Sequence, residues 1–311
     1  MNPNKKILLV AFLALNSFLC NAQKSIGVVK DKTPATNQLD IAITDWVGHT
    51  FIFLEQPKML QKHGYDLRLS KKPSYKSTDP ELETSIGGLK YDNFARKKIK
   101  ALSVERGLFD YLVTFEEEGA GRKIYADSHK EHIGGIALVA DLEKAKERWG
   151  GKTIWSKNKT ISTYDAENDK HGDVAVRIGD PLKVVDVWWG SPLFGPLWLI
   201  VETKDKEKGY IRTKFSWTNQ YRDWWKASRP WENDFFESDP KTLGWSDEIW
   251  QKINDQRVAT GMTKQQVSLS WGEPKSVTST LSDDGSREQW AYSDQFLYFE
   301  GDVLKTIESA K

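Results

Sequence analysis

Two stretches of this chain repeat one pattern, and the repeat limits what the chain can fold into. Trp46-Val47-Gly48-His49-Thr50-Phe51-Ile52 matches Trp149-Gly150-Gly151-Lys152-Thr153-Ile154-Trp155. Each is followed by a Tyr-Asp pair, Tyr65-Asp66 and Tyr164-Asp165. Each copy then holds two apolar, β-branched runs joined by a charged, glycine-bearing turn. In the first copy residues 111–115 lead through 116–121 into Lys123-Ile124-Tyr125; in the second, residues 197–203 lead through 204–209 into Tyr210-Ile211. Runs of this kind around such turns predict antiparallel hairpins. A repeated hairpin-bearing unit implies similar β modules in series, spanning 41–140 and 141–215. Between their strands, residues 137–149 predict a helix, with Asp141 as N-cap and Leu142, Ala145 and Trp149 along one face.

After the second copy the pattern changes. Residues 216–245 are rich in tryptophan (Trp217, Trp224, Trp225, Trp231 and Trp245) and interrupted by Pro230 and Pro240, which reads as an ordered connector. From 246 to 311 the order is α-α-β-β-β. Ser246 caps a helix carrying Ile249, Trp250, Ile253 and Val258, which Gly261 ends. Thr263 caps a second helix through Gln266, Val267 and Leu269, and Gly272-Glu273-Pro274 ends that one. Strands follow at 276–281, 288–292 and 296–299, the last turning through Gly301 into 303–307.

The N-terminus reads as an export signal. Lys5-Lys6 precede an apolar run over 7–15, and Cys20-Asn21-Ala22 supplies small residues for a signal peptidase. Residues 1–22 are then removed, Gln23 begins the mature chain, and 23–40 is a polar linker. The run is too short to span a bilayer, so contact with a membrane is at most peripheral. Cys20 is the only cysteine. The rival reading, a lipoprotein with Cys20 lipidated, wants a small residue where Leu19 stands. Cleavage after Ala22 leaves no cysteine for a disulfide or a nucleophile.

Among the 311 residues, charges nearly cancel, with net charge +1, where a nucleic-acid binder carries a basic stripe. The chain has 39% hydrophobic residues and 14 Trp, enough apolar material for several cores. Trp is a costly residue to bury, because its indole N–H needs a partner.

Two resemblances attach to these segments. Asp180-Pro181-Leu182-Lys183-Val184-Val185-Asp186-Val187, Leu197-Trp198-Leu199-Ile200-Val201 and Lys208-Gly209-Tyr210-Ile211 resemble a bacterial SH3-like domain, and through the repeat 41–135 looks like a diverged sibling. That resemblance implies small β-barrels that bind cell-wall peptides or target a neighbouring enzyme. Gly261-Met262-Thr263, Trp271-Gly272-Glu273-Pro274, Gln289-Trp290-Ala291-Tyr292 and the run from Tyr298 to Leu304 resemble the SmpA/OmlA (BamE-like) family. Its members are small envelope domains that assist outer-membrane assembly through protein contacts, and the same fold type also serves as an enzyme inhibitor. The expected fold is therefore mainly β with α+β: tandem SH3-like β-barrels followed by a C-terminal ααβββ BamE-like domain. Gly261, Met262, Thr263, Gly272, Pro274, Trp290 and Tyr292 would be its structural motif.

Sites of catalysis are not evident. Gly150-Gly151-Lys152-Thr153 lacks the earlier glycine of a phosphate loop, since Lys146 occupies that position, and reads as a strand start after a turn. His129 and His132 lack a third metal ligand at a useful spacing. Residues 165–169 imitate a calcium loop, but Lys170 stands in place of Gly and Val176 in place of the bidentate Glu. Glu116-Glu117-Glu118 reads as a charged hairpin tip. The chain is accordingly expected to be no enzyme and to need no cofactor or metal. It would be an exported, periplasmic binding or scaffolding protein, associated with the outer membrane, whose partner is an envelope protein or a peptidoglycan peptide and not nucleic acid. An inhibitor of an envelope enzyme and a hydrolase using a carboxylate pair are the alternatives. The expected contact surface is the loop over 188–196, because two tryptophans, a leucine and a phenylalanine there are stiffened by Pro192 and Pro196. Its contact residues are Trp188, Trp189 and Phe194, with Trp198 and Tyr210 beside them.

Overall fold

The structure is a computed structural model that describes residues 40–73, 76–107, 110–165, 170–192, 195–220, 232, 234–282 and 285–309. The expected export signal, 1–22, and all of the expected linker but Asp40 lie outside these residues. Leu39–Lys311 forms one compact unit. It is mainly β, with 42% strand and 17% helix, in three antiparallel sheets that each cover a separate apolar cluster.

The first sheet begins with β1 (Thr50–Phe53). The chain then passes through two four-residue helices, α1 (Lys58–Gln61) and α2 (Tyr91–Phe94). It enters a meander of β2 (Lys98–Arg106), β3 (Tyr111–Glu117) and β4 (Lys123–Asp127), and closes with β5 (Ile136–Leu138). The strand order is β4-β3-β2-β1-β5. Helix α3 (Val139–Trp149) follows directly. The second sheet comprises β6 (Thr153–Ser156), β7 (Thr160–Asp165), β8 (Lys170–Ala175), β9 (Pro181–Ser191), β10 (Gly195–Glu202), β11 (Lys208–Thr213) and β12 (Phe235–Phe236), in the order β12-β6-β9-β10-β11-β7-β8.

The repeat is written into the registers of these two sheets. β1-β2-β3-β4 and β6-β9-β10-β11 share one order, with a short edge strand beside the first member of each. Phe51 pairs with Ile99 and Ile154 with Leu182, which puts Trp46 and Trp149 at equivalent positions, both buried. Ala101 pairs with Phe115 and Val184 with Val201, and one unpaired residue follows in each, Leu102 and Val185. Both are exposed, as residues extruded from a bulge are. Tyr125 and Tyr210 then coincide. Each takes a bridge from the long connection that crosses back over its module, Tyr125 from Arg68 and Tyr210 from Ser162. The Tyr-Asp pairs are not part of this equivalence. Tyr65 lies three residues before Arg68 and Tyr164 two after Ser162, and Tyr65 is buried whereas Tyr164 is exposed.

The expected barrels are not closed: no sheet joins its own edge strands among the described residues. The crossing connections meet the meander at one or a few residues, too few to continue the ladder around. The expected helix over 137–149 also starts later, because Ile136–Leu138 pairs with β1 as an edge strand. Asp141 is not its cap. It sits buried in the first turn and accepts a hydrogen bond from Ser216 Oγ at 2.9 Å.

The third sheet is built on α4 (Asp247–Asn254) and α5 (Lys264–Trp271), followed by β13 (Ser276–Ser282), β14 (Gly285–Ala291), β15 (Gln295–Glu300) and β16 (Val303–Ser309), paired in chain order. Ser246 and Thr263 cap the helices as the sequence predicts, and Thr263 and Gln266 form a reciprocal capping box. Helix α4 ends at Asn254 rather than near Gly261, because Gln256 takes a left-handed conformation, φ +55. Val258 falls outside it, and the segment has four strands rather than three.

Side-chain joints tie the sheets together. Trp189 packs on the second core and also on Ile52, Leu54 and Ala137 of the first sheet. Asn219 holds Ile133, accepting from its N–H at 2.7 Å and donating to its carbonyl at 2.9 Å. Phe235 lies in the second core and Phe236 against the third. Of the tryptophan-rich connector, Trp224, Trp225 and Trp231 lie outside the described residues.

Candidate functional site

Strands β9, β10 and β11 alternate between their two faces apart from the bulge at Val185. Leu182, Val184, Val187, Leu197, Leu199, Val201 and Ile211 enter the core, so the residues between them line the opposite face. Trp188, Trp198 and Arg212 stand in one row across three strands, and Asp186, Ile200 and Tyr210 in the next. Directly opposed side chains lie close enough to touch.

Trp198 and Tyr210 stack with ring centroids 4.3 Å apart and an interplanar angle of 20°. Tyr164 meets Trp198 edge-on at 6.4 Å and stacks on His171 at 4.8 Å. Arg212 lies 5.7 Å from the Tyr210 ring, a cation over an aromatic face. Trp188 is 53% exposed, and its indole N–H donates to Asp186 Oδ2 at 2.7 Å, which fixes the ring plane. The Trp198 indole nitrogen is buried with no acceptor among the described residues. Its ring runs across the β9 backbone at Gly190, where a Cβ would lie 2.8 Å from that nitrogen and 2.1 Å from the Gly195 carbonyl oxygen. Only glycine lets the ring lie so close.

The structure thus brings together Trp188, Trp198 and Tyr210 of the expected contact residues. It separates Trp189, which points to the other face and into the joint between sheets. Trp188 and Trp189 are in strand rather than loop, because the ladder of β9 with β10 runs on to Ser191 and Gly195. Phe194 lies outside the described residues. Arg212, His171 and Tyr164 complete the face and were missed by the sequence reading. Alternation along Tyr210-Ile211-Arg212 was the signal for Arg212; nothing in sequence marks His171.

The equivalent face of the first module is different in kind. The registers put Glu105, Leu112 and Asp127 where the second module has Trp188, Trp198 and Arg212. Asp127 is paired with Arg68 at 2.8 Å and Glu105 with Lys71 at 2.9 Å. The tyrosine recurs, as Tyr125, but the Trp188–Trp198–Arg212 row has no counterpart in the first copy.

The exposed Trp188 and half-buried Trp198, seated over the buried Tyr210 with a cation and a carboxylate beside them, can cover a ligand at low entropic cost. Among the described residues the face holds no nucleophile on a close hydrogen bond to a base. The Tyr210 hydroxyl and His171 Nδ1 are 3.4 Å apart, too long for a strong hydrogen bond. The buried carboxylates elsewhere each have their own donors. Glu83 accepts from Leu69, Thr78 and Asp79, which hold it below the usual carboxylate range against its burial. Glu117, expected at a hairpin tip, is buried at the end of β3 between Lys97 and Arg122. Among the described residues no three His, Cys, Asp or Glu side chains converge as metal ligands. Burial and the neighbouring His129 push His132 down to about 4. Gly151 takes φ +70 after α3 and Thr153 opens β6, so Gly150-Gly151-Lys152-Thr153 is a turn into a strand. Of the calcium-like loop, 166–169 lie outside the described residues.

The C-terminal motif residues converge on the two ends of α5. Gly261 and Met262 pair with Leu304, and Thr263 bridges Val303. Gly272 takes φ +79, and its carbonyl accepts from the Tyr292 hydroxyl at 2.8 Å. Trp290 is core, its indole N–H donating to Glu288 at 3.0 Å. Pro274 leads into β13. Among the described residues no helix is long and apolar enough to cross a membrane. No protein-family model, curated protein or solved structure matches the chain.

Proposed function

We propose that this chain is an exported, non-enzymatic protein of the bacterial cell envelope, working in the periplasm beside the outer membrane. It binds a partner through the aromatic face of its second sheet. In this reading residues 41–140 and 141–215 are modules of SH3-like strand order, open rather than closed, and 246–311 is a BamE-like domain. The partner is an envelope protein or a peptidoglycan peptide.

The observation that carries the reading is the contrast between the two modules. One repeated scaffold carries paired surface charges in its first copy where the second has Trp188, Trp198 and Arg212, above the buried Tyr210. A large aromatic kept half in water needs a reason that a buried one does not. The shared registers support the tandem reading, and the capping box with the Gly272–Tyr292 bond supports the BamE-like one.

The test is retention on purified peptidoglycan and co-purification from envelope extract, comparing the parent with Trp188→Ala/Arg212→Ala. Loss of retention or of a co-purifying partner, with circular dichroism unchanged, supports the reading. Equal retention of both proteins, or a hydrolytic product released from peptidoglycan by either, overturns it.

A further inference from the structure

We infer that β13 is a self-association edge, through which two copies of this chain join their C-terminal sheets into one continuous sheet. The first observation is how the sheet edges are treated. A bare edge strand invites pairing with another chain, and proteins blunt such edges by shortening, charging or covering them. β5 and β12 are three and two residues long. β4 carries Lys123 and Asp127, and β8 carries Lys170 and Asp173. β16 carries Lys305 and Glu308, and its first residues are covered by Gly261, Met262 and Thr263. β13 has none of these devices. It is seven residues long, Ser-Val-Thr-Ser-Thr-Leu-Ser, without charge or proline, and it pairs with β14 in unbroken register.

The second observation names the occupant. The strand reads nearly the same in both directions about Ser279. A two-fold interface requires that residue i meet j while j meets i. With the axis at Ser279, an antiparallel second copy sets Ser276 against Ser282, Val277 against Leu281 and Thr278 against Thr280, each match made twice. Threonine pairs and apolar pairs are favourable cross-strand neighbours. Val277, now 49% exposed, would gain an apolar partner.

The third consideration is size. Seven residues span about 24 Å, and one strand pair covers less than the ~800 Å² per partner of a standard stable interface. The dimer is therefore weak, with a dissociation constant in the micromolar range or above, and concentration-dependent.

Sedimentation velocity of the full chain over a concentration series is the test. The parent should pass from monomer to dimer, and Ser279→Lys, which opposes two like charges on the axis, should raise the dissociation constant at least ~10-fold. In a Cys20→Ser background, Ser279→Cys should oxidise to a covalent dimer, since opposed strand positions fall within disulfide reach. Lys305→Cys on the opposite edge should not. A parent that stays monomeric throughout overturns the proposal and leaves an extended segment of another protein as the occupant. A dimer unchanged by Ser279→Lys also overturns it. So does a Ser279→Cys dimer that forms no faster than the Lys305→Cys one, a comparison that stands even if Ser279→Lys fails to fold.

Discussion

Asn254 holds Ile178 by both of its main-chain groups: Oδ1 accepts the Ile178 N–H at 2.8 Å and Nδ2 donates to the Ile178 carbonyl at 3.2 Å. Ile178 belongs to the connection from β8 to β9 yet packs in the third core. One side chain therefore imitates a strand partner and docks the C-terminal helices on the second sheet. Asn219 does the same for Ile133.

Replacing Asn254 with Ala leaves the Ile178 amide without its acceptor. The expected cost is about 1–3 kcal/mol, read as a lower denaturant midpoint, with faster proteolytic cutting near 237–246. Asn254→Asp keeps the acceptor and should cost less. Equal stability of Asn254→Ala and the parent would remove the joint from the account.

Asp141 makes stability depend on pH. Burial, and then the nearby Asp40, push its carboxyl up to about 7 against the opposing bonds from Ser216, and its Oδ1 has no hydrogen-bond partner among the described residues. The unfolded chain titrates near 3.8, so the folded state binds the extra proton between these values. Its contribution is fully present below about pH 4 and is lost as pH rises through 7, at most about 4 kcal/mol. Asp141→Asn should flatten that part of the stability profile and be more stable than the parent at pH 8.

Neighbouring tryptophans should behave oppositely. Trp189→Ala empties the joint between the first two sheets and should cost about 3 kcal/mol. Trp188→Ala removes an exposed ring and should cost less than about 1 kcal/mol. Thermal unfolding of the two single variants measures the difference; similar losses would mean Trp188 is part of the packing.

Mass spectrometry of the exported protein should find Gln23 as its first residue. A diacylglyceryl mass on Cys20 would refute the unlipidated form.

Local signals were legible in this sequence at most of the C-terminal helix ends, though the left-handed Gln256 that stops α4 was not among them. Ser246, Thr263 and Gly272 mark helix ends because caps and left-handed residues act within a few positions. Trp46 and Trp149 mark the repeat because the same pocket forms twice. What sequence could not carry was long-range register. The face of Trp188 against that of Trp189 is set by the ladder with β10, and a one-residue change reverses both. Asp141 resembles a cap until Ser216, 75 residues later, proves to be its partner. Tyr65 and Tyr164 look equivalent in sequence, and only the crossing strands put them out of step.

The Asn219 joint also sets a schedule. Its amide closes on the carbonyl of Ile136 across 83 residues. At about 5–20 residues per second of synthesis, the first sheet is made roughly 4–17 s before the side chain that fastens its end. Through that interval β5 is an edge strand whose end is not yet fastened, and the first sheet can fray from that side until the side chain arrives. A fold whose fastenings come late in the sequence locks only when its own C-terminal half arrives.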